Sequence, residues 1–233
     1  MFGRKKKADV EEIEENEMDG LDELEELDEE EDLDVEEDLD EWEQFDLSQD
    51  WREDGPFDID EVDLGADEVN RIDLGTVIIT PETGMSMKLI ANPDTKEIFH
   101  VVVENDPQSL LQITVLAAPS TGSFCAQIRE DFIAETPNAI MVELVKGPFG
   151  TELRRILSDV DEKGRETHVP LRDWLISGPR WILNARFLGK AASEEDSPNT
   201  QALKEFVHNI IVRRGDVAMM PGAALPLTPR EVN

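Results

Sequence analysis

Tyrosine is absent from this chain of 233 residues, cysteine occurs once, histidine three times, and 22 basic side chains face 55 acidic ones. A single cysteine excludes an internal disulfide framework and fits a reducing compartment. With His100, His168 and His208 far apart in sequence, there is no Cys/His spacing for zinc, and neither a Walker A loop nor a GxGxxG turn occurs. No cofactor or metal is therefore expected. No apolar run approaches the ~20 residues of a membrane span. The opening MFGRKKK has the charge of a signal-peptide start, but acidic rather than apolar residues follow. No signal peptide is expected, and the chain is placed in the cytoplasm. Glycine stands third rather than second, outside the myristoylation pattern. A formal net charge of −33 repels phosphate and argues against direct nucleic-acid binding.

That charge is concentrated at one end. Residues 1–7 hold Arg4, Lys5, Lys6 and Lys7, whereas residues 8–68 hold 33 acidic groups and only Arg52. The stretch 69–233, with 22 acidic and 17 basic groups, is close to ordinary. So dense a run of carboxylates lacks the apolar surface to offset ordering entropy of roughly 1–2 kcal/mol per residue. Residues 1–54 are expected as a disordered acidic tail, 55–218 as a globular domain, and 219–233 as a proline-rich extension on the surface. Trp42, Phe45 and Trp51 interrupt the tail. Such aromatics either dock on the body in cis or anchor a partner.

Period-two alternation predicts the strands of the body. In ISGPRWILNARFLG (176–189), Trp181, Leu183, Ala185 and Phe187 share one side and Ile182, Asn184, Arg186 and Leu188 the other. Strands are predicted near 76–80, 85–91, 98–104, 110–118, 139–146, 151–159, 167–176 and 181–188. One helix is predicted between Ser123 and Pro137, with Ser123 as N-cap and Phe124, Ile128 and Phe132 on one face. A second begins at Ser197-Pro198, with Leu203, Phe206, Val207 and Ile210 as its buried stripe. The expected fold class is α+β: an antiparallel sheet built of meanders, with two helices packed on one face.

The basic MFGR start, the acidic tail and the glycine-proline lead-in combine with GPFGTELR (147–154), GPRW (178–181), RRGD (213–216) and LPL (225–227). In this combination the chain resembles an actinobacterial family catalogued as domain of unknown function 3710, over most of 55–229. The resemblance implies a cytosolic actinobacterial protein and supplies no catalytic residue. The element order is also similar to folds of the Mog1 and PsbP type, non-enzymatic binding modules, by fold-level analogy only.

The candidate binding residues are Arg154, Arg180, Trp181, Arg186 and Trp174. Arginines projecting from one sheet face beside indole rings would take a carboxylate-rich ligand. Alternatively, each arginine offsets a nearby acid such as Glu152 or Asp173. The GPFGTE corner could aim backbone N–H groups at an anion, although tight-turn geometry also explains its glycines. Cys125 is expected as a structural thiol. The favoured reading is a non-enzymatic interaction or regulatory protein with a protein partner. The alternative is a small-molecule-binding domain or unrecognised enzyme with a pocket between sheet and helices. Filling of that interface by Trp181, Phe187, Phe206 and Val207 would count against the alternative.

Overall fold

The computed structural model describes residues 39–120 and 124–230. The expectations for the acidic run up to Asp38 and for Ser123 as a helix cap lie outside the described residues. Seven strands make the main sheet: β4 (Ser86–Ala91), β5 (Ile98–Asp106), β6 (Ser109–Ala117), β7 (Ala139–Gly147), β8 (Gly150–Val160), β9 (Glu166–Gly178) and β10 (Trp181–Gly189). Their order is β4-β5-β6-β10-β9-β8-β7, and every pairing within this sheet is antiparallel. Two meanders thus meet at β6 and β10. A smaller sheet of short strands, β1 (Phe57–Asp58), β2 (Ile72–Asp73), β3 (Val77–Ile79) and β11 (Ile211–Val212), is ordered β1-β11-β3-β2, with β1 and β11 parallel.

The alternation read from 181–188 assigns each side chain of β10 to its layer. Trp181, Leu183, Ala185 and Phe187 enter one cluster with Trp174, Ile113, Val115 and the small-sheet residues Val77, Ile79 and Val212. Helix α4 (Pro198–His208) adds Leu203, Phe206 and Val207 to the same cluster. Ser197 caps it, accepting from the Thr200 N–H, and Pro198 occupies its first turn, where a missing N–H is harmless. Ile182 faces the opposite way and meets Leu116, Leu175 and the α2 (Cys125–Ala134) residues Cys125 and Ile128. The two helices therefore flank the sheet rather than sharing one face as expected. Both sides of β10 carry apolar residues at the Trp181–Leu183 end, so each side requires a cover.

Three further departures concern segments read as tail or loop. Residues 41–46 form helix α1 (Glu41–Asp46), closed by a capping box between Asp40 and Glu43. In place of loose chain up to residue 54, the stretch from Leu39 onward is part of the compact unit. A short helix, α3 (Lys190–Ser193), lies between β10 and α4, outside the two predicted helices, and buries Ala191 in the core. The proline-rich end is extended, as expected, but Leu225 and Leu227 are buried and bridge to the main sheet rather than resting on its surface.

Candidate functional site

The Gly147–Gly150 corner joins β7 to β8 by turning Phe149 inward, edge-on to Trp174 at 5.3 Å between ring centroids. Gly150 sits at φ +99°, a conformation that suits glycine. The Thr151 N–H donates to Asp46 Oδ1 at 2.6 Å, while Arg129 Nη1 donates to Asp46 Oδ2 at 2.6 Å. A Cβ at Gly150 would stand 2.7 Å from that same Oδ1, so the cradle closes on a carboxylate only because glycine is there. The aromatics expected as anchors hold the segment around it in cis. The Trp51 indole N–H donates to the Asp46 carbonyl, Phe45 and Trp51 pack tilted with ring centroids 4.8 Å apart, and Lys146 lies 4.9 Å over Phe45. Trp42 contributes its carbonyl to the Thr151 hydroxyl. Arg52, the one basic residue of the stretch 8–68, pairs through both terminal nitrogens with Glu61 and lies over the Trp181 ring. A cavity of about 220 Å³ lies behind this segment, lined by Asp46, Trp51, Cys125, Phe149, Leu175 and others.

The five candidate binding residues do not converge. On the α4 side, buried Glu152 accepts from Arg172, Trp174 and Arg154, and Glu195 bridges Arg172, Arg154 and Lys204. Burial alone would raise the Glu152 carboxyl. The Arg172 guanidinium, the Trp174 indole and Arg154 outweigh it and hold the group below the usual carboxylate range. On the α2 side, Asp173 pairs with Arg155 and Arg186 at 2.6 Å each and accepts from Asn184. Arg155 also donates to the Phe132 carbonyl at the C-terminal turn of α2, where a cation complements the helix dipole. Trp181 is fully buried, its indole N–H on Asp58 at 2.6 Å, which ties the small sheet to the large one. Arg154, Arg186, Trp174 and Trp181 are thus committed to internal partners on two opposite faces.

Arg180 alone remains at the surface. It occupies the hairpin corner after Pro179 at φ +60°, the place in a Pro-X turn that favours glycine. Its guanidinium reaches only the Gly215 carbonyl, at 3.5 Å. Arg214 donates to the Arg180 and Val217 carbonyls. Among the described residues, neither arginine pairs with a carboxylate. Val217, whose carbonyl accepts from Arg214, is 73% exposed and Met220, three positions on, is 79% exposed, and a cavity of about 330 Å³ opens between Arg213, Arg214, Val217, Met219, Leu225 and Arg230. Arg213 is neutralised by Asp73 at 3.0 Å.

The three histidines lie on β5, β9 and α4 and share no partner among the described residues. His100 bonds Thr114, and burial followed by Arg186 pushes its pKa down. His208 packs tilted against Phe149, and His168 approaches only Glu166. Cys125 is buried, and burial, with a smaller push from Asp46, raises its thiol to about 12. Asp46, Arg129 and Thr151 are not recognisable as a site from the sequence. The Asp40-x-x-Glu43 capping box is a local signal for α1, whereas nothing local links Asp46 to a guanidinium 83 positions away.

No helix among the described residues is long and apolar enough to cross a membrane. No curated protein matches the chain. Among solved structures, cyanobacterial PsbP (CyanoP) from Synechocystis sp. PCC 6803 is 9% identical with a TM-score of 0.36, over 65% of this chain and 97% of that one. LpqN of Mycobacterium tuberculosis, described as involved in cell envelope biogenesis, is 11% identical with a TM-score of 0.32, over 63% and 86%. A protein from Bacteroides thetaiotaomicron VPI-5482 is 12% identical with a TM-score of 0.36, over 63% and 49%. Likeness this slight carries no argument about function. The family model described as "Protein of unknown function (DUF3710)" matches residues 55–233, and the chain belongs to that family.

Proposed function

We propose that the chain is a non-enzymatic interaction protein that docks an acidic partner on the arginine-rimmed apolar face around Val217 and Met220. The observation that carries this reading is the exposure of those two side chains in the segment that follows Arg214, which with Arg180 meets only backbone carbonyls. Exposed apolar surface rimmed by polar groups marks association sites, and arginine and methionine are enriched there. Arg180 adds to the argument. A non-glycine residue in the left-handed region costs about 1 kcal/mol or more, so the side chain is kept at a position where glycine would be favoured. The alternative of a ligand pocket between sheet and helices is weakened, because Trp181, Phe187, Phe206 and Val207 fill that interface. The single cysteine, unpaired, keeps a cytoplasmic setting as part of the proposal.

The test compares affinity capture by the full chain and by the double variant Val217→Asp, Met220→Asp. A partner retained by the wild type at low salt, and lost from the variant, is the expected result. An unchanged set of partners with unchanged salt dependence would refute the docking face.

A further inference from the structure

We infer that the Gly147–Gly150 corner, the Thr151 amide and Arg129 form a receptor for an acidic-aromatic peptide, shut in cis by residues 40–51 and open to a partner segment of the same chemistry. The receptor belongs to the body and is shaped for a carboxylate. Arg129 is 3% exposed, and Asp46 is the one side chain among the described residues that neutralises its guanidinium. A charge so deeply placed requires a hydrogen-bonded counterion. The Thr151 N–H supplies the second donor, to the other carboxylate oxygen, and the bare Cα of Gly150 leaves the room.

The occupant is less firmly built than its seat. Helix α1 has six residues, none of them buried, too few to be stable in isolation. Leu47, next to the liganding aspartate, is 55% exposed. The cavity behind Asp46 and Trp51 shows that the segment does not fill the space it covers. Regions with few buried apolar contacts open locally at free energies below that of global unfolding. A competing peptide would place aspartate on Arg129 and Thr151, and an aromatic one residue earlier against Lys146, as Phe45 does. A further aromatic side chain would reach the cavity beside Phe149. This receptor is separate from the Val217–Met220 face and does not depend on it.

Cys125, the chain's one cysteine, lines that cavity and reports on the strap. In the full chain, Asp46→Asn is expected to speed alkylation of Cys125 by about tenfold or more, the effect of losing a charge-assisted hydrogen bond. A fluorescein-labelled peptide of residues 39–54 should bind the D46N chain saturably and the wild type about tenfold more weakly, because the intact strap competes. The same peptide carrying asparagine in place of its Phe-Asp aspartate should bind neither. Unchanged alkylation, equal peptide binding to both chains, or binding to neither would overturn the inference. Should the D46N chain fail to fold, amide exchange on the wild type decides. The Thr151 and Leu47 amides are expected to exchange together and faster than the β8–β9 ladder, and exchange only with the whole sheet would overturn it. A concentration-dependent dimer of the wild type, absent in D46N, would seat the strap of a second copy in the receptor and overturn the assignment to a partner.

Discussion

Replacing Glu152 by glutamine should lower the stability of the chain by about 3 kcal/mol. The carboxylate is 1% exposed and accepts two hydrogen bonds from Arg172 at 2.8 Å and one from the Trp174 indole at 2.6 Å. Glutamine preserves the volume and keeps an acceptor for the indole, but it turns an NH2 group toward a guanidinium. Arg172, 2% exposed, would then retain only Glu195, at 3.1 Å. Removing one member of a buried pair costs about 3–5 kcal/mol, and partial compensation by half-exposed Glu195 selects the lower end. In a body of this size about 3 kcal/mol corresponds to roughly 6–12 °C in Tm.

The pH dependence has a definite sign. The folded pKa of Glu152 lies below its unfolded value of 4.5. As pH falls the unfolded chain takes up the proton first. The stabilisation is therefore complete above the unfolded pKa and lost as pH falls through the folded one. Calorimetry on wild type and E152Q should show a Tm gap that is constant from about pH 8 to about pH 5.5 and closes at lower pH. A gap below about 2 °C at neutral pH, or one that persists undiminished in acid, would refute the assignment of Glu152 as the ionised hub of this face.

Gly178→Ala would bring a Cβ to 2.2 Å from the buried Trp181 ring, and urea denaturation should show a loss of about 3 kcal/mol or more. Arg180→Gly should be nearly neutral in the same assay, within about 1 kcal/mol, because relief of the left-handed residue offsets added freedom in the unfolded chain, while partner capture falls. Phe206→Ala empties the α4 interface and should cost about 3–5 kcal/mol by thermal unfolding. With its pKa pushed up to about 12, the Cys125 thiol of the native wild type should react with a disulfide reagent at pH 8 roughly a thousandfold more slowly than in the denatured chain.

The main sheet was readable because each of its strands alternates or runs apolar between turn residues. The run from Trp181 was predicted to Leu188 and is found to Gly189, and β8 and β9 exceed their predicted spans by one or two residues at each end. Ser197-Pro198 marked the start of α4 for a local reason, a capping hydroxyl followed by a residue that needs no N–H. What local reasoning could not supply was the pairing of distant charges. Arg154 and Arg155 are neighbours in sequence, yet the pleat sends them to opposite faces, one to Glu152 and the other to Asp173. A common arginine face was thus excluded by the same alternation that identified the strand. The order in residues 39–54 was hidden by composition. Their carboxylates read as solvated charge, and only the guanidinium and amide waiting at Arg129 and Thr151 convert one of them into an anchor.

The meeting of the two meanders at β6 and β10 has a consequence for how the molecule can be divided. Nine residues of Ser109–Ala117 zip against nine of Trp181–Gly189, and in the small sheet β11 lies between β1 and β3. Each half of the chain therefore supplies a flank that the other must complete, twice over. A nick in the link between α2 and β7 would leave two interlocked fragments, each lacking the neighbour that satisfies its backbone amides, so the halves should cohere as one body and denature in a single step.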